Sequence, residues 1–254
     1  MSVVGIVSMK GGVGKTSVTA NLATALGRVL GADRVNAIDL DPQNALHWHF
    51  GVDGRHRPGV AQQAIAAGNW ADVRQHSAFD VHCLPYGEAS EPEREAFESL
   101  LAHDPGFLGR AIATAGLSED AVVLIDTPPG PSAYVRQVFA CADIVIMVIL
   151  ADAGSYATIP AMEEWVQDLG EHNPQLGCFY LLNQVDRTEI LSRDVQDFLT
   201  QKLQGRIVPM GIHADEAVRE ALAFQQPVMV YDPHGQASHD LARLANWLLD
   251  TLSQ

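Results

Sequence analysis

Cysteine is scarce in this 254-residue chain: Cys83, Cys141 and Cys178, with no Cys-x-x-Cys pair. An odd, scattered set argues against a disulfide framework and fits a reducing compartment. Lysine is equally scarce, with only Lys10, Lys15 and Lys202, and acidic residues outnumber basic ones 31 to 16 for a net charge of −15. Such a chain repels a polyanion on average, so direct DNA binding is not expected. Long apolar runs are missing as well. The longest, 144–151, lies between Asp143 and Asp152 and falls far short of the roughly 20 residues a membrane helix needs. The opening residues carry their positive charge after the apolar stretch, unlike a secretory signal. No internal repeat, low-complexity tract or linker interrupts the chain. These absences predict a cytoplasmic globular protein with residues 1–254 in a single domain, able to bury about 70–75% of its unfolded surface without staples.

Short continuous apolar runs recur at 3–8, 35–40, 122–126, 144–150, 179–182 and 207–212. Runs without alternation are strands covered on both faces, as in a parallel sheet. Helical patterns at 16–30, 155–169 and 192–203 separate them. Strand–helix–strand order predicts an α/β fold, a mostly parallel twisted sheet with helices on both faces. Ser90, Pro92 and Glu93 read as a capping box opening a further helix. At the end, Leu241, Leu244, Trp247, Leu248 and Leu252 share one helical stripe. With Arg243 as its single basic residue, that stripe is read as core packing rather than a membrane-surface helix.

The most glycine-dense segment is Lys10-Gly11-Gly12-Val13-Gly14-Lys15-Thr16, followed by Ser17, between a predicted strand and a predicted helix. Glycines let the backbone curl so that successive N–H groups face phosphate oxygens, and the helix N-terminus adds positive potential. In this pattern Lys15 reaches the β- and γ-phosphates and the Thr16 hydroxyl ligates Mg²⁺. The general pattern wants a glycine five residues before Gly14. Met9 stands there instead, followed by a second lysine, Lys10.

That variant resembles the deviant Walker A motif of the MinD/ParA ATPases, which carry a P-loop NTPase fold. The resemblance extends to Asp39-Leu40-Asp41-Pro42-Gln43 and to Asp126-Thr127-Pro128-Pro129-Gly130. It implies ATP and Mg²⁺ as cofactors and a homodimer that sandwiches two ATP molecules, with Lys10 crossing to the partner's phosphates, much as an arginine finger acts in trans. It also implies that Asp41 positions the attacking water, Asp126 holds the Mg²⁺ shell, Asp39 supports Mg²⁺ or Thr16, and Gly130 senses the γ-phosphate through its backbone. Asp152 stands where some members place an acidic partner for the crossing lysine.

Asn183-Gln184-Val185-Asp186 looks like the guanine-reading Asn-Lys-x-Asp pattern, but Gln184 replaces the lysine. The family reads adenine with an asparagine at the Asn183 position, so ATP is the favoured nucleotide over GTP. Near Asp215 the family usually has Ile-Pro, and here Ile212-His213 stands in its place. His213 and Asp215 are candidates for contact with the base.

Segments outside these motifs resemble the cellulose-biosynthesis branch of the family: Phe50 to Asp53 with His56 and Arg57, Gly68 to Asp72, Leu84 to Gly87, Ile212 to Ala217 and Gln226 to Val228. This branch implies regulatory or accessory proteins of the cellulose synthase as partners, and recruitment to the inner membrane face or a cell pole only through them. The alternative is a partitioning or division-positioning ATPase, which needs a DNA-binding basic patch or a basic amphipathic tail. An iron–sulfur relative needs paired thiolates, and no cysteine follows Asp126-Thr127-Pro128 closely. His47, His49 and His56 are read as surface or partner-facing residues rather than metal ligands, and Trp48 and Phe50 as core or interface.

Overall fold

The computed structural model describes every residue except 55, 56, 187, 189, 204 and 254. The apolar runs form parallel strands β1 (Ser2–Val7), β2 (Val35–Asp39), β5 (Val122–Asp126), β6 (Ile144–Leu150) and β7 (Gly177–Asn183). A short pair not expected from the sequence, β3 (Gln75–His76) and β4 (His82–Leu84), extends one edge. The order is β3-β4-β2-β5-β1-β6-β7, and only the β3–β4 pairing is antiparallel. All β1, β2 and β5 side chains except Ser2 are buried, as continuous apolar runs require.

Helices cover both faces. On one lie α1 (Lys15–Leu30), α9 (Ala217–Ala223), α10 (Val228–Tyr231) and α11 (Gln236–Leu252), around a core that includes Leu22, Leu26, Val228 and Leu244. On the other lie α2 (Val60–Ile65), α3 (Glu91–His103), α4 (Phe107–Thr114), α5 (Ala133–Cys141), α7 (Ile159–Gly170) and α8 (Ile190–Lys202), with Phe97, Tyr134, Met162 and Leu199 inward. The α11 stripe packs on the sheet: Leu241, Leu244 and Leu248 are buried. Among the described residues no helix is long and apolar enough to cross a membrane. At the start of α3 the Ser90 backbone N–H donates to Glu93 Oε2 at 2.7 Å, the returning half of the expected box.

Three expectations need correction. Residues 207–212 form no strand. They follow β7 through single bridges, Tyr180 to Ile207 and Val185 to His213, because Pro209 between them has no N–H to donate. The helix expected over 155–169 is two, α6 (Ala153–Tyr156) and α7, with Pro160 in the first turn of the second. Proline is accepted there and disfavoured in a helix interior. His47 and His49 are buried, not surface residues, because the 3-10 turn Leu46–Phe50 that carries them folds under α1. Burial pushes the His49 imidazole down to about 4. Phe50 is buried as expected and Trp48 is half-buried, while His56 lies outside the described residues.

The centre of the sheet positions the site. β1 lies between β5 and β6, and its chain leaves past β5 to reach β2. Ligands in open α/β sheets bind at such a crossing, outside the carboxyl ends of the strands. Those ends carry the loop after Val7, then Asp39, Asp126 and Asn183.

Candidate functional site

After β1 the chain turns through Ser8 to Gly14 and enters α1 at Lys15. Gly12 and Gly14 hold φ of +79° and +85°, the left-handed region that favours glycine. Gly14 has a second reason: a Cβ there would collide with the Asn183 side-chain nitrogen. That nitrogen donates to the Val13 carbonyl at 2.8 Å, so the end of β7 braces the loop. The Val13 side chain itself points into the core. Lys15 is only 6% exposed. Its ammonium makes no hydrogen bond or ion pair among the described residues and lines a cleft of about 760 Å³. A nearly buried, unpaired ammonium beside a glycine turn and a helix N-terminus is a cradle for a polyanionic phosphate.

The carboxylates stand one layer deeper. Thr16 Oγ1 donates to Asp126 Oδ2 at 2.6 Å, and Thr19 Oγ1, one turn further along α1, donates to Asp126 Oδ1 at 3.2 Å. Burial pushes the Asp126 carboxyl up to about 6, against the pull of Lys15 and the two hydroxyls. Asp39 is fully buried, and its carboxyl is raised well above the usual range by burial first and by neighbouring Asp126 second. Its Oδ1 accepts the Asp41 N–H at 2.9 Å and its Oδ2 the Leu46 N–H at 3.0 Å. Asp39 therefore holds the loop that presents Asp41. Asp41 lines the cleft and accepts the Gln43 N–H at 2.9 Å.

Lys10 is exposed and lies over the start of α6, where a Cβ at Gly154 would run into its ammonium and lie 3.5 Å from Asp152 Oδ1. Gly130, at φ +80°, donates its N–H to the Ser8 carbonyl at 2.9 Å. The backbone amide that the resemblance implies for phosphate sensing is thus engaged by the loop itself.

At the other end of the cleft stand Asn183, His213 and Asp215. Asp215 caps two helices, accepting the Ala217 N–H at 3.0 Å and the Ala237 N–H at 3.2 Å. His213 Nδ1 is 2.7 Å from Asp240 Oδ2, an oxygen that also accepts the His213 backbone N–H at 3.0 Å. Asp186 is absent from the described cleft lining, and its Oδ1 accepts from Thr188.

The cleft thus gathers Gly11, Gly12, Gly14, Lys15, Thr16, Ser17, Asp41, Asn183, His213 and Asp215. Lys10, Val13, Asp39, Asp126 and Gly130 border it without lining it. Sequence reading missed Thr19, Gln43, Arg219 and Asp240. Thr19 was legible as the residue three after Thr16 on one helix face. Asp240 carried no local signal, being 27 residues from His213.

The model of the family described as "Cellulose biosynthesis protein BcsQ" matches residues 1–249. The chain belongs to the BcsQ family. The BcsQ of Salmonella typhimurium is 31% identical over 252 residues, covering 98% of this chain and 94% of that protein. The chromosome-partitioning ATPase Soj of Thermus thermophilus is 27% identical over 246 residues, covering 95% and 93%. Among solved structures, the septum site-determining protein MinD of Pyrococcus horikoshii, complexed with Mg-ADP, superposes with a TM-score of 0.76 at 24% identity, covering 99% of this chain and 97% of that one. This BcsQ-family chain thus shares the fold of MinD, as the motifs implied.

Proposed function

We propose that this chain is an ATP-binding and ATP-hydrolysing switch that works in bacterial cellulose biosynthesis, closing as a homodimer around two nucleotides. The carrying observation is the nearly buried, unpaired Lys15 ammonium in a glycine cradle, with Thr16 on Asp126 beside it. The BcsQ relatives support the cellulose role, Soj supports ATPase activity, and the Mg-ADP of the MinD structure supports the cofactor pair.

When bound, Mg²⁺ neutralises phosphate charge. Thr16 and Asp126 are the residues that would hold it, a hydroxyl and a buried carboxylate that are the oxygen donors such a hard cation takes. Lys15 and the loop N–H groups bind the phosphates. Asp41, held by Asp39, orients the attacking water. Lys10 leaves the turn at Asp152 and Gly154 to reach the partner's nucleotide, and the Gly130 N–H leaves Ser8 for the γ-phosphate. Asn183 meets the adenine. ATP then favours the closed dimer because its last phosphate adds contacts that ADP lacks. Residues 1–254 act as one ATPase unit. Its partners are accessory or regulatory proteins of the cellulose synthase, through which it is recruited from the cytoplasm to the inner membrane face or a cell pole, without contacting DNA.

Light scattering with no nucleotide, ADP–Mg²⁺ and ATP–Mg²⁺ tests the switch, with Asp41→Ala beside the wild type. A dimer mass that appears only with ATP, and persists in Asp41→Ala, is expected. A mass indifferent to nucleotide would overturn the switch and leave a constitutive scaffold.

A further inference from the structure

We propose that His213 is a specificity-determining residue that accepts a hydrogen bond from the amino group of adenine, with Asp240 as the residue that fixes its tautomer. The proposal deepens the ATP reading above and rests on it.

The argument starts from Asp240, which is 1% exposed. A carboxylate is acceptor-only, so every group bonded to it must donate. Its Oδ1 takes the Gln236 side-chain N–H at 3.0 Å, and its Oδ2 takes the His213 backbone N–H at 3.0 Å. The His213 ring reaches that same Oδ2 through Nδ1 at 2.7 Å. In the neutral ring the proton must therefore sit on Nδ1, which leaves Nε2 with a bare lone pair. Nδ1 is turned inward to buried Asp240, so the accessible edge of the ring, whose side chain is 18% exposed, is the one that carries Nε2.

At the end of the cleft held by Asn183 and Asp215, His213 stands with the apolar side chains of Ile212, Ala214, Val218 and Leu241, and Glu216 and Arg219 line the cleft as well. A flat, largely apolar base fits that end, since the charged phosphates are drawn to Lys15 at the other. The backbone ties His213 to the strand of Asn183: Val185 bridges His213, and Ile212 N–H donates to the Leu182 carbonyl at 2.9 Å. Asn183 spends its Nδ2 on Val13, which leaves Oδ1 as its acceptor for the cleft. Two acceptors, Asn183 Oδ1 and His213 Nε2, then match the two hydrogens of the adenine amino group. Guanine offers a carbonyl oxygen in that place, and both acceptors oppose it.

The test compares Kd for ATP, GTP and purine riboside triphosphate, which keeps the ring and lacks the amino group, in alkaline buffer with Mg²⁺. Wild type is expected to prefer ATP over the amino-free analogue by about tenfold, the scale of a lost hydrogen bond that leaves its partner unmet. His213→Phe is expected to shrink that gap to about twofold. An unchanged gap in His213→Phe overturns the proposal. Failure of wild type to bind any of the three triphosphates overturns the ATP reading itself, a different result. A second measurement does not depend on the variant folding well. In ¹⁵N-histidine spectra of the wild type, the one ring that responds to ATP and not to the amino-free analogue should carry its proton on Nδ1. A responding ring protonated on Nε2, or no such ring, also overturns the proposal.

Discussion

Asp39 and Asp126 stand side by side in register at the carboxyl ends of β2 and β5, both completely buried. Two carboxylates taken out of water next to each other favour a shared proton over two charges. Lys15 on the neighbouring turn relieves Asp126 only in part. Burial and proximity therefore push the two acids toward neutrality at the place where a divalent cation would sit.

That push toward neutrality predicts opposite effects on stability and binding. A carboxyl raised in the folded state holds more protons than in the unfolded chain, so stability is lost as pH rises from the ordinary carboxylate range through the folded value, here about 6 for Asp126. Asp126→Asn removes this penalty, and one of the Thr16 and Thr19 hydroxyls can turn to accept from the new amide nitrogen while the other still donates to the amide oxygen. The variant should melt a few degrees above wild type in neutral buffer without nucleotide, with the difference vanishing toward pH 4. Its Mg²⁺-dependent ATP binding should fall at least about tenfold. Melting curves across pH with parallel titration calorimetry check both signs. An Asp126→Asn protein no more stable than wild type at neutral pH would show that the pair carries no such penalty.

Thr19 makes the related point from the other side of the carboxylate. Its hydroxyl shares one proton between Asp126 Oδ1 at 3.2 Å and the Lys15 carbonyl at 3.0 Å. Thr19→Val keeps the volume and removes the donor, so the Asp126 carboxyl should rise further. The Mg²⁺ concentration for half-maximal ATP binding should increase about three- to tenfold, with its acid limb displaced to higher pH. Thr19→Ser should restore both, and a pH series of Mg²⁺ titrations reads the outcome.

Gly14 and Gly12 separate two costs that sequence patterns merge. Both need positive φ, but a Cβ at Gly12 meets nothing within 4 Å, whereas one at Gly14 strikes Asn183. Gly12→Ala should cost about 1 kcal/mol of backbone strain. Gly14→Ala should cost about 2–4 kcal/mol, since it also breaks the Asn183 brace. Denaturant midpoints compare the two, and equal losses would place no weight on the brace.

Much of this was legible in the chain. Five of the parallel strands announced themselves as apolar runs without alternation, because covering helices on both faces leave no polar side. The phosphate loop was legible because its chemistry is local: glycines, lysine and threonine must stand in one turn. What stayed hidden was non-local or geometric. Residues 207–212 are as apolar as a strand, but Pro209 denies the ladder a donor. His47 and His49 are polar by type, yet they lie on a turn folded beneath α1. The division of labour between Asp39 and Asp126 was invisible too. Both end a strand in an acid, and only the positions of the Leu46 and Asp41 N–H groups tell that Asp39 serves the loop.

Lys10 carries the last prediction, because its surroundings differ from those of Lys15 although the two flank one motif. Lys15 is nearly buried within the cleft, so Lys15→Ala should abolish tight ATP binding by a single chain, raising Kd about a hundredfold. Lys10 is exposed and leans over the turn at Asp152 and Gly154, away from the cleft lining. Its removal takes nothing from the cradle of its own chain, so Lys10→Ala should bind ATP within about threefold of wild type, the size of a surface charge effect. The same variant should fail to form the ATP-dependent dimer. Asp152 also caps α6, accepting the Ser155 N–H at 2.5 Å, a task an asparagine performs equally well. Asp152→Asn should therefore keep the helix, remove a negative charge from the turn over which Lys10 leans and let the dimer form at lower ATP concentration. Molar mass across an ATP titration of the three variants distinguishes these outcomes, and a Lys10→Ala protein that dimerises normally would remove Lys10 from the interface.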